Sequence, residues 1–155
     1  MKILIALSLA SSLTIAGFSQ EISRKLNGTW KPVYEEIAGN PLPGAAFSSQ
    51  EMVLADSLYT VKAESVDKGI VKYMGNKMDI YGRAGVNEGK HFRAIFKIND
   101  GQGDELSKGK PGMNENGNKG SGERLTICYN LSGDVYPEEF STKGKAMYFM
   151  AVFVR

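Results

Sequence analysis

Apolar residues alternate with polar ones in short segments along most of this chain, and this period of two limits its possible folds more than any other feature. The clearest segment is 91–99, where one side carries Phe92, Ala94, Phe96 and Ile98. Successive side chains of a strand point to opposite faces of a sheet, so one face of such a segment is buried and the other is wetted. Many short alternating segments separated by turn residues predict an all-β sandwich or barrel.

The same pattern, read along the whole chain, predicts strands and no long helix. We expect strands at 28–37, 52–54, 58–65, 70–74, 77–81, 91–99, 124–131 and 146–155. Gly75 and Asn76 are expected to form a tight hairpin turn between two of them. Pro32 lies inside the first strand and indicates an edge or a bulge there. About eight such strands fit a single antiparallel up-and-down barrel.

The first 19 residues have the features of a secretory signal peptide. Lys2 is followed by a mostly apolar run over 3–15, and small residues precede a predicted cut after Ser19. The run is shorter than the roughly 20 apolar residues that span a bilayer, so we expect no membrane span. The prediction is an exported protein, periplasmic or secreted, whose domain comprises residues 20–155.

Charge and composition exclude several function classes. The net charge of +2 is too small for the electrostatic field expected of a nucleic-acid binder. The single cysteine, Cys128, allows no internal disulfide, and we expect it to be a small strand residue without a redox role. His91 is the only histidine and is expected to be solvated, so we predict no enzymatic activity, no metal site and no cofactor.

Two regions could contact a partner protein. Residues 101–122 are rich in glycine, asparagine and lysine, cannot build a core, and are expected to form a flexible loop. The last strand, 146–155, is apolar on both faces, so we expect its outer face to be covered. The expected cover is segment 45–50 or an extended N-terminal segment at 22–26, with self-association as the alternative.

The side chains expected inside the barrel either fill it or surround one small ligand. Small residues at Ala63, Ala94 and Ala151 favour a gap, and we predict that the wall around it is aromatic. The predicted wall consists of Tyr34, Tyr59, Phe92, Phe96, Tyr129 and Phe149. This interior predicts binding of a small hydrophobic or amphipathic molecule. The alternative is an interaction module of the cell envelope whose barrel is filled.

Trp30 on the first strand and Arg155 at the end of the last strand are expected to close the base of the barrel. A tryptophan there fills the interior, and a guanidinium suits the face of its ring. The segments 26–31 (LNGTWK), 125–129 (LTICY) and 137–140 (PEEF), together with Arg155, resemble the lipocalin-like domains of small secreted bacterial proteins.

The resemblance covers residues 26–155 and implies an exported calycin-type barrel, without implying a substrate. Members of that family often carry arginine directly before the proline of the third segment, where this chain has Tyr136.

Overall fold

The computed structural model describes residues 13–99 and 122–155. These residues form one α-helix, α1 (Leu13–Leu26), and a short 3-10 helix (Gly44–Ala46). Their strands are β1 (Gly28–Ile37), β2 (Asn40–Pro41), β3 (Glu51–Ala55), β4 (Leu58–Lys62), β5 (Val66–Met74), β6 (Lys77–Ala84), β7 (His91–Asn99), β8 (Arg124–Asn130) and β9 (Tyr148–Val154).

The strands form a closed antiparallel barrel. From β3 to β9 each strand pairs with the next along the chain, β1 pairs with β3, and β1 also pairs with β9, which closes the sheet. Two-residue β2 is an addition beside β1. The all-β, eight-stranded, up-and-down barrel predicted from the sequence is therefore confirmed.

Two strands, β1 and β7, have the bounds that the alternation predicts, whereas β5 begins at Val66 rather than at residue 70. Gly69 lies inside β5, next to a register shift. A Cβ atom at this position would come within 2.5 Å of a ring carbon of Tyr59 and 2.1 Å of the Tyr81 carbonyl oxygen. Only glycine fits at position 69, because the Tyr59 ring and the Tyr81 carbonyl oxygen occupy the space of a side chain. The sequence of β5 alone does not show these contacts.

The N-terminal segment is helical, which corrects the expectation that residues 22–26 are extended. Helix α1 passes through the predicted cut after Ser19 and ends at Leu26, so the cut itself stays a prediction. Leu26 is fully buried in the main core, and Ile22 packs against the same cluster. In the described ranges, no helix has the length and hydropathy needed to cross a membrane.

Strand β1 contains a bulge that reverses its inward and outward faces. The pairing of β1 with β9 shifts by one residue between Pro32 and Tyr34. Trp30 and Pro32 point inward below the bulge, and Glu35 points inward above it. The prediction that Tyr34 shares the inner face with Trp30 is therefore wrong, because an extra residue in one strand shifts all later side chains to the opposite face.

The outer face of β9 is covered at Met150 by the segment 131–147, here named the outer segment, rather than by 45–50 or 22–26, and Val152 and Val154 on the same face are half-exposed. Phe140 of this segment packs against an outer cluster of Ile95, Cys128 and Met150. Burial raises the pKa of the Cys128 thiol to about 11. The barrel therefore has a second, smaller apolar layer made by its own chain. The predicted loop at 101–122 lies outside the described residues, except for Gly122.

Candidate ligand-binding cavity

The two ends of the barrel differ, and we call them the base and the mouth. The base is the end at Trp30, Leu125 and Phe153, where side chains fill the interior. Trp30 is fully buried and its indole N–H donates a 2.8 Å hydrogen bond to the Leu26 carbonyl oxygen. This bond satisfies both the indole and a carbonyl at the end of α1.

Arg155 covers the base. Its guanidinium carbon lies 4.4 Å from the centroid of the Trp30 ring. The guanidinium also donates hydrogen bonds to the carbonyl oxygens of Lys25 and Asn27, and it pairs with Glu123. A cation at the last carbonyls of a helix is favourable, because those groups lack partners within the helix. Arg155 therefore joins α1 to the end of the sheet.

Gly28 is required under this arginine. Its φ of +138° lies in the region that glycine tolerates best, and a Cβ atom there would come 3.1 Å from an Arg155 guanidinium nitrogen. The sequence Gly28-Thr29-Trp30 thus provides both the space and the ring that the guanidinium contacts.

The mouth is the end at Asp67, Asn87 and Phe149, and there the interior holds a partly open cavity of about 260 Å³. Its walls come from all eight strands of the barrel, and most of them are apolar. The lining side chains include Glu35, Tyr59, Val61, Phe92, Tyr129 and Phe149.

The structure distributes the six predicted wall residues among three environments. The cavity is lined by Tyr59, Phe92, Tyr129 and Phe149. Phe96 is inside the barrel but packs edge-on against Tyr73, with ring centroids 6.2 Å apart, and does not line the cavity.

Tyr34 points outward and donates a 2.5 Å hydrogen bond to the Glu36 carboxylate. Thr142 of the outer segment donates to the other oxygen of the same carboxylate at 2.8 Å. Tyr34 therefore belongs to the contact between β1 and the outer segment, and burial is the main cause of the raised pKa of its hydroxyl.

The small residues expected to leave a gap also separate. Ala94 and Ala151 are fully buried inside the barrel. Ala63 is exposed in the turn after β4, because that strand ends at Lys62 rather than continuing to residue 65. Neither of these two inner alanines lines the cavity, which extends from the mouth down to Leu54 and Phe153.

Glu35 is the functional candidate that the sequence pattern missed. Its side chain lines the cavity and is only 5% exposed. Burial raises its pKa from 4.5 to about 7, and no described residue forms a hydrogen bond with its carboxyl group. A buried carboxyl without a partner is costly once ionised, so this group is poised to accept a partner from the cavity. The one available signal was Pro32, which pointed to a bulge in β1.

The other acids of the cavity already have partners. Asp67 accepts hydrogen bonds from the Tyr59 hydroxyl at 3.1 Å and from the backbone and side-chain nitrogens of Asn87 at 3.0 and 2.9 Å. Glu51 lies 2.9 Å from the Lys62 ammonium. Asp67 therefore holds the loop that contains Asn87 against the mouth. Glu35 is the acid of the cavity wall whose carboxyl group is available to a bound molecule.

Tyr129 and Phe149 form an aromatic corner in the cavity, with their ring centroids 5.6 Å apart. Burial raises the pKa of Tyr129 well above its ordinary value, and the nearby Glu35 carboxyl adds to the shift. The corner therefore presents ring surface and a hydroxyl beside the buried carboxyl.

His91 lies on the outer face of the barrel and does not line the cavity. Its ring stacks on Tyr81 with centroids 4.4 Å apart, and its Nε2 lies 2.8 Å from the Asp79 carboxylate. Tyr136 donates to the same carboxylate at 2.6 Å. The solvated histidine expected from the sequence is instead half-buried in a polar cluster that anchors the outer segment.

Comparison of the chain with protein-family models, with curated protein sequences and with solved structures finds no match.

Proposed function

We propose that this protein is an exported, lipocalin-like binding protein that holds a small hydrophobic or amphipathic molecule in the mouth of its barrel. The observation that carries the proposal is the cavity of about 260 Å³, closed toward the base by packed core residues and partly open at the other end. Ligand sites in small barrels are concave, mostly apolar and equipped with a few polar groups, and this cavity fits that description.

The proposal is for binding without catalysis. The only histidine stands on the outer face, so it is not available as a general base to a molecule in the cavity. If His91→Ala abolished a measured chemical activity in a protein that stayed folded, the binding role would be insufficient.

The first test is mass spectrometry of the protein purified from the exported fraction of cells expressing the full chain. We expect a denatured mass that corresponds to residues 20–155 and a native mass that is larger by one small molecule. Protein confined to the cell interior with its leader intact would contradict the proposed export. A bare native mass that persists after incubation with apolar and amphipathic compounds would contradict the proposed binding.

A cavity-filling variant gives a second test. Val61 lines the cavity, so Val61→Phe should occupy its volume and lower affinity by at least about tenfold. Val66→Phe is the matched control, because Val66 is 49% exposed and is paired directly with Lys62 on the neighbouring strand. Equal affinities of the two variants, both folded by circular dichroism, would place the ligand elsewhere.

The competing function is an envelope interaction module. One argument for it is the doubly apolar last strand, but Phe140 already packs against the outer face of that strand at Met150 and leaves only Val152 and Val154 half-exposed there. The other argument, the segment 101–122, can be tested by deletion. Loss of a protein partner with cavity binding intact would favour the interaction module, whereas unchanged partner capture would remove its remaining support.

A further inference from the structure

The charged side chains that line the cavity have a single sign. Among the described residues, the charged groups in its wall are Glu35, Glu51 and Asp67, and no lysine, arginine or histidine joins them. A carboxylate ligand such as a fatty acid would therefore enter an acidic cavity without a cation to receive it. Like charges repel most strongly where water is excluded, so this wall discriminates against anions.

Among the described residues, two of these three acids have an ion-pair or hydrogen-bond partner and the third has none. Glu51 has the Lys62 ammonium, and Asp67 has three hydrogen-bond donors. Within the ranges 13–99 and 122–155, Glu35 has neither an ion-pair partner nor a hydrogen-bond donor, although it is only 5% exposed. Since an ionised buried carboxylate requires a partner, the missing partner is best supplied by a positively charged ligand group.

The aromatic walls suit the same kind of group. Tyr129 and Phe149 line the cavity together with Phe92, and aromatic ring faces attract cations. Their area also buries the apolar part of a ligand. A short apolar body carrying an ammonium would therefore find a counterion and a favourable surface in one cavity.

We propose that the ligand is an amphipathic organic amine whose ammonium pairs with the Glu35 carboxylate while its apolar part lies against the aromatic wall. This inference rests on the proposed function, because it names the chemical class that the binding cavity selects. Glu35 is then the residue that sets specificity, and the aromatic residues supply affinity that is shared by uncharged analogues.

The test uses three probes of matched shape, 2-phenylethylamine, 2-phenylethanol and 3-phenylpropionate, titrated by calorimetry at pH 8. We expect the amine to bind at least about tenfold more tightly than the alcohol, and the carboxylate to bind more weakly than both. Glu35→Gln should reduce the amine to the affinity of the alcohol and leave the alcohol unchanged. Glu64→Gln is the matched control, because Glu64 is exposed at the mouth end and its loss changes the net charge equally.

Proton release gives a readout that a structural defect would not produce. An ammonium beside Glu35 stabilises its ionised form, so amine binding near pH 6.5 should release a proton to the buffer, whereas alcohol binding should not. The other titratable groups of the cavity are Glu51, Tyr59, Asp67 and Tyr129, and all stay unchanged in Glu35→Gln. The heat of amine binding should therefore depend on the buffer in the wild type and lose that dependence in this variant.

The outcomes separate the two proposals. Binding of the alcohol without an advantage for the amine would overturn the amine proposal and leave the binding function standing. Equal losses of amine and alcohol affinity in Glu35→Gln would also overturn it, because the residue would then be acting on the shape of the cavity. Binding of none of the three probes, together with a bare native mass, would overturn both.

Discussion

The base and the mouth of this barrel differ in how their buried polar side chains are paired. At the base, the Trp30 indole and the Arg155 guanidinium are both hydrogen-bonded to carbonyl oxygens at the end of α1. At the mouth, no residue in the described part of the chain forms a hydrogen bond with the Glu35 carboxyl. Buried polar groups are usually paired within the chain, so an unpaired carboxyl beside a cavity is a candidate contact for the proposed ligand.

The largest loss of stability is expected when the base of the barrel is emptied. Trp30→Ala removes the largest fully buried side chain and should destabilise the protein by about 3–5 kcal/mol, measured by urea unfolding. Trp30→Phe is the control, since it keeps a ring face but loses the bond to the Leu26 carbonyl, and it should fall between wild type and Trp30→Ala. A loss below about 1 kcal/mol in Trp30→Ala would show that the base does not hold the barrel together.

The second prediction concerns the mouth and depends on pH. Because burial raises the pKa of Glu35 from 4.5 to about 7, the folded chain keeps a proton there that the unfolded chain has already lost. Its contribution to stability is full below pH 4.5 and disappears as the pH rises through 7. Glu35→Gln should therefore be more stable than wild type by about 1–3 kcal/mol at pH 9, with a smaller difference at pH 4.5.

The measurement is chemical denaturation of both proteins at the two pH values. Taking the difference between variant and wild type removes the contributions of all other titratable groups, provided that the unfolded states are alike. Glu64→Gln should show no comparable pH-dependent gain. If Glu35→Gln lost stability at pH 9, the carboxylate would have a partner within the folded chain.

The third prediction sharpens the role of Arg155. Arg155→Met keeps an apolar side chain over Trp30 but removes the charge and the bonds to Lys25 and Asn27, and it should cost about 1–2 kcal/mol in denaturation experiments. Arg155→Lys should recover only part of this loss, because an ammonium lacks the planar fork that reaches several carbonyls. If Arg155→Lys had the stability of the wild type, the positive charge alone would account for the effect of Arg155.

The smallest change in stability is expected at Tyr73, whose buried hydroxyl is an unpaired polar group inside the described part of the core. The Tyr73 hydroxyl is buried without a hydrogen-bond partner among the described residues, and burial raises its pKa to about 12. Tyr73→Phe removes this unsatisfied group and should change stability by no more than about 1 kcal/mol, in the stabilising direction. Thermal unfolding measures it, and a clear loss of stability would reveal a partner for the hydroxyl, such as a bound water.

The sequence also predicts side-chain positions more accurately at the base than at the mouth. The alternation of β7, which only Ile95 interrupts, predicts both the bounds and the inner face of this strand. Trp30 and Arg155, predicted at strand ends, meet at the base. At the mouth the alternation misplaced Tyr34 and missed Glu35, because a bulge adds one residue to β1. Pro32 indicated the irregularity, but only the pairing with β9 shows where the register changes.

Other features depend on contacts between distant parts of the chain. The outer segment has no periodic pattern, yet Phe140 covers Cys128 and Met150. The sequence predicts a strand that begins after Gly69, whereas the structure places Gly69 inside β5 with the ring of Tyr59 against it. Local patterns define strands reliably where neighbours are regular, and they fail where a remote side chain decides which residue fits.

The pairing of Asn99 with Arg124 determines how this protein is best attached to a surface. These two residues are direct partners at the base, where the Arg155 backbone N–H also bonds to the Glu123 carbonyl oxygen. Whatever is grafted between positions 99 and 124 thus starts and ends at the side of the barrel away from its mouth. A tether or fluorophore placed in that interval would leave the opening directed toward solution, so a surface-bound protein could still admit the proposed ligand.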